Sequence, residues 1–233
     1  MEYKQIVAPT LKELFIEEIE KQILSEELKI GDKLPPEREI AQNMHISRSV
    51  VNSGIVEMER KGFLTIVPRQ GTYVADYKTH ATSEILVSIM KYGSLSQDYI
   101  RSTLEVRDIF MTIALEKAVP TMSKEQFQSL LDACQRFQDA KTTKQGAEEL
   151  YNIDCCIVDA SGNVLLPILI SSFKIPNTML FERYLKLYGF EPMRRRNVLL
   201  LQYIELKDTQ NAIKVMHDSI METIDGKTQI YMD

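Results

Sequence analysis

The stretch KLPPEREIAQNMHISRSVVNSGIVEMERKGFLTIVPRQGTYV, from Lys33 to Val74, limits this chain more than any other feature. Two prolines open a short apolar-periodic run, Met44-His45-Ile46 interrupts it, and Ser47 stands where a side-chain oxygen can cap a second helix. Val51, Ile55 and Met58 follow at helical spacing and predict a buried stripe, so Arg48, Ser49 and Asn52 project from the N-terminal part of the opposite face. Phe63–Val67 and Thr72–Val74 are β-prone runs flanking Pro68-Arg69-Gln70-Gly71, a four-residue hairpin loop in which the glycine takes a positive φ angle. Helix, turn, helix and hairpin in that order predict a winged helix-turn-helix, a shape that lays one helix in the DNA major groove.

The side chains on the second helix suit that use. Arginine forks to guanine O6 and N7, and asparagine does the same to adenine N6 and N7. Arg69, at the hairpin tip, would reach phosphate or the minor groove. Upstream, Leu11, Phe15, Ile19 and Ile23, with Leu14 beside them, predict an amphipathic first helix. Gly54 inside the recognition helix carries a penalty of about 1 kcal/mol against alanine, which close approach of another backbone would justify.

A formal net charge of −5 looks adverse for a nucleic-acid binder, so its distribution decides. From Lys33 to Val74 there are six basic and four acidic residues, a net of +2, while Glu13, Glu17, Glu18 and Glu20 sit on the first helix, away from phosphate. The balance predicts modest non-specific affinity and steep salt dependence. With 233 residues, 44% of them hydrophobic, the chain suits two modest domains. A mean hydropathy of −0.18, no long apolar run and no signal-peptide pattern in MEYKQIVAPT point to a cytoplasmic protein without a membrane partner. Cys134, Cys155 and Cys156 form no CxxC pair and are expected to be reduced, mostly buried thiols.

From residue 83 onward, helical periodicity dominates. The expected helices are Tyr99–Val119 (stopped by Pro120), Lys124–Lys141, Glu148–Ala160, Leu165–Tyr188 (kinked near Ile175 by Pro176), Met193–Lys207 and Thr209–Ile224, the last capped by Asp208. That is an all-α bundle. The expected organisation is a DNA-binding domain over residues 1–75, a linker over 76–82 and an all-helical domain over 83–233. Tyr151, Phe173, Phe181, Tyr188 and Tyr203 are expected in its core, and Arg194-Arg195-Arg196 as a solvated helix face.

At LPPEREIA (Leu34–Ala41), ISRSVV (Ile46–Val51) and RQGTYV (Arg69–Val74), the chain resembles the GntR family of bacterial transcription regulators. The resemblance implies operator contacts by Arg38, by Ser47, Arg48 and Ser49, and by Arg69, Gln70, Gly71 and Thr72 of the wing. The family often has arginine where this chain has Asn52, which implies a different operator half-site. Glu105-Val106-Arg107 and ELYNIDCCIVDASGN (Glu149–Asn163) resemble, more loosely, the effector domain of the FadR branch. There the resemblance sets Arg107 against a pocket, to meet either an effector's carboxylate or phosphate or a bundle carboxylate such as Glu105. Asp154, Arg183 and Tyr184 are further effector candidates. A related branch holds a metal with an aspartate and three histidines, and the matching positions here are Leu150, Asp154, Asn197 and Ser219. That set implies no metal and no cofactor. The expectation is a homodimer on a palindromic double-stranded operator, responsive to a small acidic metabolite or an acyl-CoA-like ligand. The alternative is an architectural or protein-interaction winged-helix protein without effector.

No enzyme is expected. Ser171-Ser172-Phe173-Lys174 fits S-x-x-K without the companion S-D-N and K-T-G segments. Gly226-Lys227-Thr228 lacks the first glycine of a phosphate loop, since Met221 stands there.

Overall fold

The computed structural model describes residues 8–79, 85, 88–89 and 97–230. Backbone contacts divide the chain into two compact units, residues 1–95 and 96–233.

The first unit begins with α1 (Leu11–Leu24). Thr10 caps it by accepting from the Glu13 N–H at 3.2 Å, and Glu13 returns a bond to the Thr10 N–H at 2.7 Å. Phe15, Ile19 and Ile23 of the expected i, i+4 ladder are buried, joined by Ile16, while Leu11 and Leu14 are exposed. Two shorter segments follow, α2 (Glu37–Asn43) and α3 (Arg48–Lys61). Ser47 caps α3 as expected, accepting from the Val50 N–H at 3.3 Å. Val51, Ile55 and Met58 are fully or almost fully buried. Gly54 faces α1, where a Cβ would lie 2.3 Å from the Phe15 ring. A side chain, not a backbone, therefore fills the space that glycine leaves.

The wing consists of β1 (Leu64–Val67) and β2 (Gly71–Val74), antiparallel with Leu64 opposite Val74 and Val67 opposite Gly71. Its loop is three residues long, one fewer than expected, because Gly71 joins the ladder. Gly71 has φ +127°, and Arg69 also takes a positive φ, 63°. The segment before α2 adds a partial third strand: Lys33 bridges Tyr73, Leu34 N–H donates to the Thr72 carbonyl and Val74 N–H to that of Asp32. Of the linker expected over 76–82, residues 80–82 lie outside the described residues, while Tyr77 is buried against the Phe63 ring, 5.7 Å between centroids.

The second unit contains α4 (Gln97–Thr121), α5 (Lys124–Asp139), α6 (Thr143–Ala160), α7 (Leu166–Ser172), α8 (Lys174–Tyr188), α9 (Glu191–Glu205) and α10 (Thr209–Ile224). Pro120 does not stop α4; it sits in the last turn, one residue before the end. The expected kink near Ile175 is a break at Phe173, and Pro176 falls in the first turn of α8, where a missing N–H leaves no helical bond unmade. Asp208 caps α10, accepting from the Asn211 N–H at 3.1 Å. The bundle packs α4 against α6 and α10, α6 against α5 and α8, and α9 against α10. No helix among the described residues is long and apolar enough to cross a membrane.

Candidate functional site

Arg48, Ser49 and Asn52 are exposed on α3, and Arg38 is exposed on α2. The structure adds a residue that the sequence analysis passed over. Glu37 Oε2 accepts from Arg48 Nε at 3.2 Å, and Glu37 Oε1 accepts from Asn52 Nδ2 at 2.9 Å. One carboxylate thus aligns two side chains a helical turn apart. The Arg48 side chain is 74% exposed, where an ion pair contributes only about 0–1 kcal/mol, so a nucleic acid can compete for it. The bond uses Nε, which leaves the two terminal nitrogens that fork to a guanine edge. The sequence carried a signal for this: Glu37 stands beside Arg38 in the same P-E-R motif, one turn before the capped helix.

Ser47 and Ser49 hydroxyls lie 2.9 Å apart, an exposed pair at the start of α3. Arg69 and Gln70 are exposed at the wing tip, and Gly71 and Thr72 are half-buried in β2. Holding a non-glycine residue in the left-handed region costs about 1–2 kcal/mol, so the conformation of Arg69 is a strained one retained at the tip. Glu59 Oε1 accepts from the Ile66 N–H at 2.9 Å and fixes the hairpin to α3.

Residues 11–74 match the family model for bacterial regulatory proteins of the gntR family. This segment is a GntR-family winged helix-turn-helix. Beyond that segment, helix-turn-helix regulators are similar to a larger share of the chain. The regulator Mce2R of Mycobacterium tuberculosis is 23% identical over 179 residues, 75% of this chain and 73% of that protein. LutR of Bacillus subtilis, also a helix-turn-helix regulator, is 23% identical over 141 residues, 60% of this chain and 63% of its own length. The solved structure of Lar, described as controlling expression of the Listeria monocytogenes agr system, superposes with a TM-score of 0.67 at 14% identity. It covers 94% of this chain and 97% of that one, and at such identity the likeness shows the fold.

In the bundle, Arg107 and Asp154 meet as a closed pair. Arg107 Nε donates to Asp154 Oδ2 at 2.7 Å and Nη2 to Oδ1 at 3.0 Å, with the guanidinium 4.6 Å from the Phe181 ring centre. Both side chains are buried. Of the two partners left open for Arg107, the structure shows a bundle carboxylate, and it is Asp154; Glu105 lies beside Arg101 instead, at 3.8 Å. The cavity next to Arg107 holds about 20 Å³, room for roughly one water. It is lined also by Asn177, whose buried Oδ1 has no hydrogen-bond partner among the described residues, and by Tyr184. Arg183 Nε is bound to the Ile230 carbonyl, which ties the C-terminal segment to α8. Tyr184 is buried, and that burial pushes its hydroxyl pKa up.

The three consecutive arginines of α9 differ from the solvated face expected of them. Arg195 alone is well exposed, pairing with Glu191 at 3.2 Å. Arg194 donates to the Gln138 carbonyl at 3.0 Å and lies over the Phe190 ring. Arg196 is buried. Burial pushes the Cys134 and Cys155 thiols up to about 11, which keeps them protonated and poorly nucleophilic. Among the described residues, no group of three histidine, cysteine, aspartate or glutamate side chains could hold a metal ion. The S-x-x-K pattern is spent on structure: Ser171 donates to the Ile168 carbonyl at 2.7 Å, and Lys174 pairs with Glu148 at 3.5 Å.

Proposed function

We propose that this protein is a ligand-responsive transcription regulator that binds a palindromic operator as a homodimer, with a metal-free effector site inside the helical unit. The observation that carries the DNA reading is the exposed N-terminal face of α3, where Glu37 holds Arg48 and Asn52 side by side beneath the Ser47 cap. A two-fold operator presents each half-site to one such helix, and Arg38 and the wing tip around Arg69 to Thr72 supply phosphate and groove contacts. Coupling follows from differential binding. An effector that prefers one arrangement of the paired readers shifts the population, and about 1.4 kcal/mol of preference changes operator affinity tenfold.

Arg48→Ala should weaken specific operator binding at least tenfold while leaving the melting temperature within about 2 °C, because the side chain is exposed. Fluorescence anisotropy on the operator, with a scrambled duplex as reference, measures it. Unchanged affinity in that variant removes α3 as the reading helix.

A further inference from the structure

The charges buried in the bundle do not balance. Arg107, Arg196 and Asp154 are the buried ionisable side chains of its interior polar cluster, and Asp154 gives both oxygens to Arg107. Among the described residues, Arg196 has only the Asn197 side-chain oxygen, at 3.0 Å from Nε and 2.7 Å from Nη2, and the Met216 sulfur at 3.4 Å from Nη1. An amide oxygen is a neutral acceptor and a thioether a weak one, so this guanidinium is buried with no anion hydrogen-bonded to it. Burial, and next the neighbouring Arg107, pull its pKa down to about 10, which still leaves it charged at neutral pH. Enclosing an unpaired charge is among the most unfavourable arrangements a folded chain can hold.

Arg196 is nevertheless open on one side. It lines a cleft of about 410 Å³ together with Tyr184, Val215, Asp218, Ser219 and Glu222, a volume in the range of small-molecule sites. Asp218 and Glu222 lie one turn apart on α10 and are exposed, so the cleft is lined by two exposed carboxylates as well as the buried guanidinium. Glu222 Oε2 accepts from the Lys227 N–H at 2.9 Å, which leaves its other oxygen to the cleft. Charge of both signs in one lining suits a ligand with one carboxylate and one amine. It works against a coenzyme A thioester, whose phosphates would meet the two carboxylates.

We propose that this cleft binds a free aliphatic α-amino acid, its carboxylate on Arg196 and its ammonium between Asp218 and Glu222. The assignment rests on the reading of the helical unit as a sensor and names the chemistry of what is sensed. Arg196, not Arg107, is then the anchor, because Arg107 already has its anion.

The test is thermal melting of the full chain with L-alanine, L-valine, L-leucine, 4-methylpentanoate (the leucine skeleton without its amine), isoamylamine and coenzyme A. At about a hundredfold excess over Kd, at least one amino acid should raise the melting temperature by about 5 °C, with the amine-free acid binding at least tenfold more weakly. Arg196→Gln keeps a donor for Asn197 and removes the charge; it should melt no lower than the parent and lose the ligand-induced rise. The double variant Asp218→Asn, Glu222→Gln should bind amino acid and amine-free acid alike. No rise with any amino acid, equal binding of 4-methylpentanoate by the parent, or a rise that survives Arg196→Gln overturns the site. In the last case, a ligand that still weakens operator binding leaves the sensor reading standing. An amino acid that binds through Arg196 with no change in operator affinity keeps the site and removes the sensor reading.

Discussion

The arginines proposed to meet a partner stand in opposite surroundings in the two units. In the winged unit, Arg48 stands in solvent with a carboxylate at its base, and its charge is free for an outside partner. In the helical unit, Arg107 is sealed against Asp154, and Arg196 is buried with no carboxylate hydrogen-bonded to it, open only toward the cleft. An exposed guanidinium interacts weakly with its neighbour and strongly with phosphate or a base edge. A buried one belongs to the stability of the fold unless a ligand can reach it. The contrast separates residues that recognise from residues that hold, and Arg196 is the one that could do both.

The sharpest way to break that contrast is to remove the carboxylate from each pair. Asp154→Ala strands a buried guanidinium and should cost about 3–5 kcal/mol in chemical denaturation. Glu37→Ala should cost below about 1 kcal/mol, since both of its partners are on the surface. Similar losses from the two variants would erase the distinction. Next in size is Gly54→Ala, which drives a methyl into the Phe15 ring and should destabilise the winged unit by about 1–3 kcal/mol despite the better helix propensity. A stabilised variant would show that the α1–α3 contact yields easily.

Much of the winged unit was legible before any coordinates, and the reason is local. The Ser47 cap, the Val51–Ile55–Met58 stripe and the hairpin all depend on residues close in sequence, so spacing reveals them. The misjudged details depend on neighbours far along the chain. Leu11 and Leu14 fit the helical period yet are exposed, because α3 meets α1 at Phe15 and Ile16, beyond the first turn. Glu37 acts on Arg48 and Asn52 only once the turn at Met44–Ile46 brings α2 against α3.

The bundle was legible as helices and caps and hardly at all as chemistry. Pro176 marked an interruption, but the break falls three residues earlier, at Phe173, because proline is tolerated in a first turn. Three consecutive arginines read as one surface, whereas residues 100° apart on a helix meet three surroundings. Arg195 faces water, Arg194 the Phe190 ring, and Arg196 the interior.

That difference gives a finer comparison inside one helix. Arg195→Ala removes an exposed i, i+4 pair and should change stability by no more than about 0.5 kcal/mol, measured by thermal melting. A loss of several kcal/mol would mean that the outer face of α9 is covered in the assembled protein. The smallest expected effect is that of a chelator: operator affinity and melting temperature should be the same with and without it. A chelator-sensitive transition would mean that the bundle binds a metal ion through ligands other than the positions weighed above.

Selection of duplexes from a random library, run in parallel on the full chain and on Arg48→Ala, tests the central claim most directly. The claim predicts that the parent enriches an inverted repeat whose half-sites share a guanine contacted through Arg48, and that the variant loses preference at that guanine first. An unrelated pool, a single unpaired half-site, or the same repeat enriched equally by Arg48→Ala would contradict it.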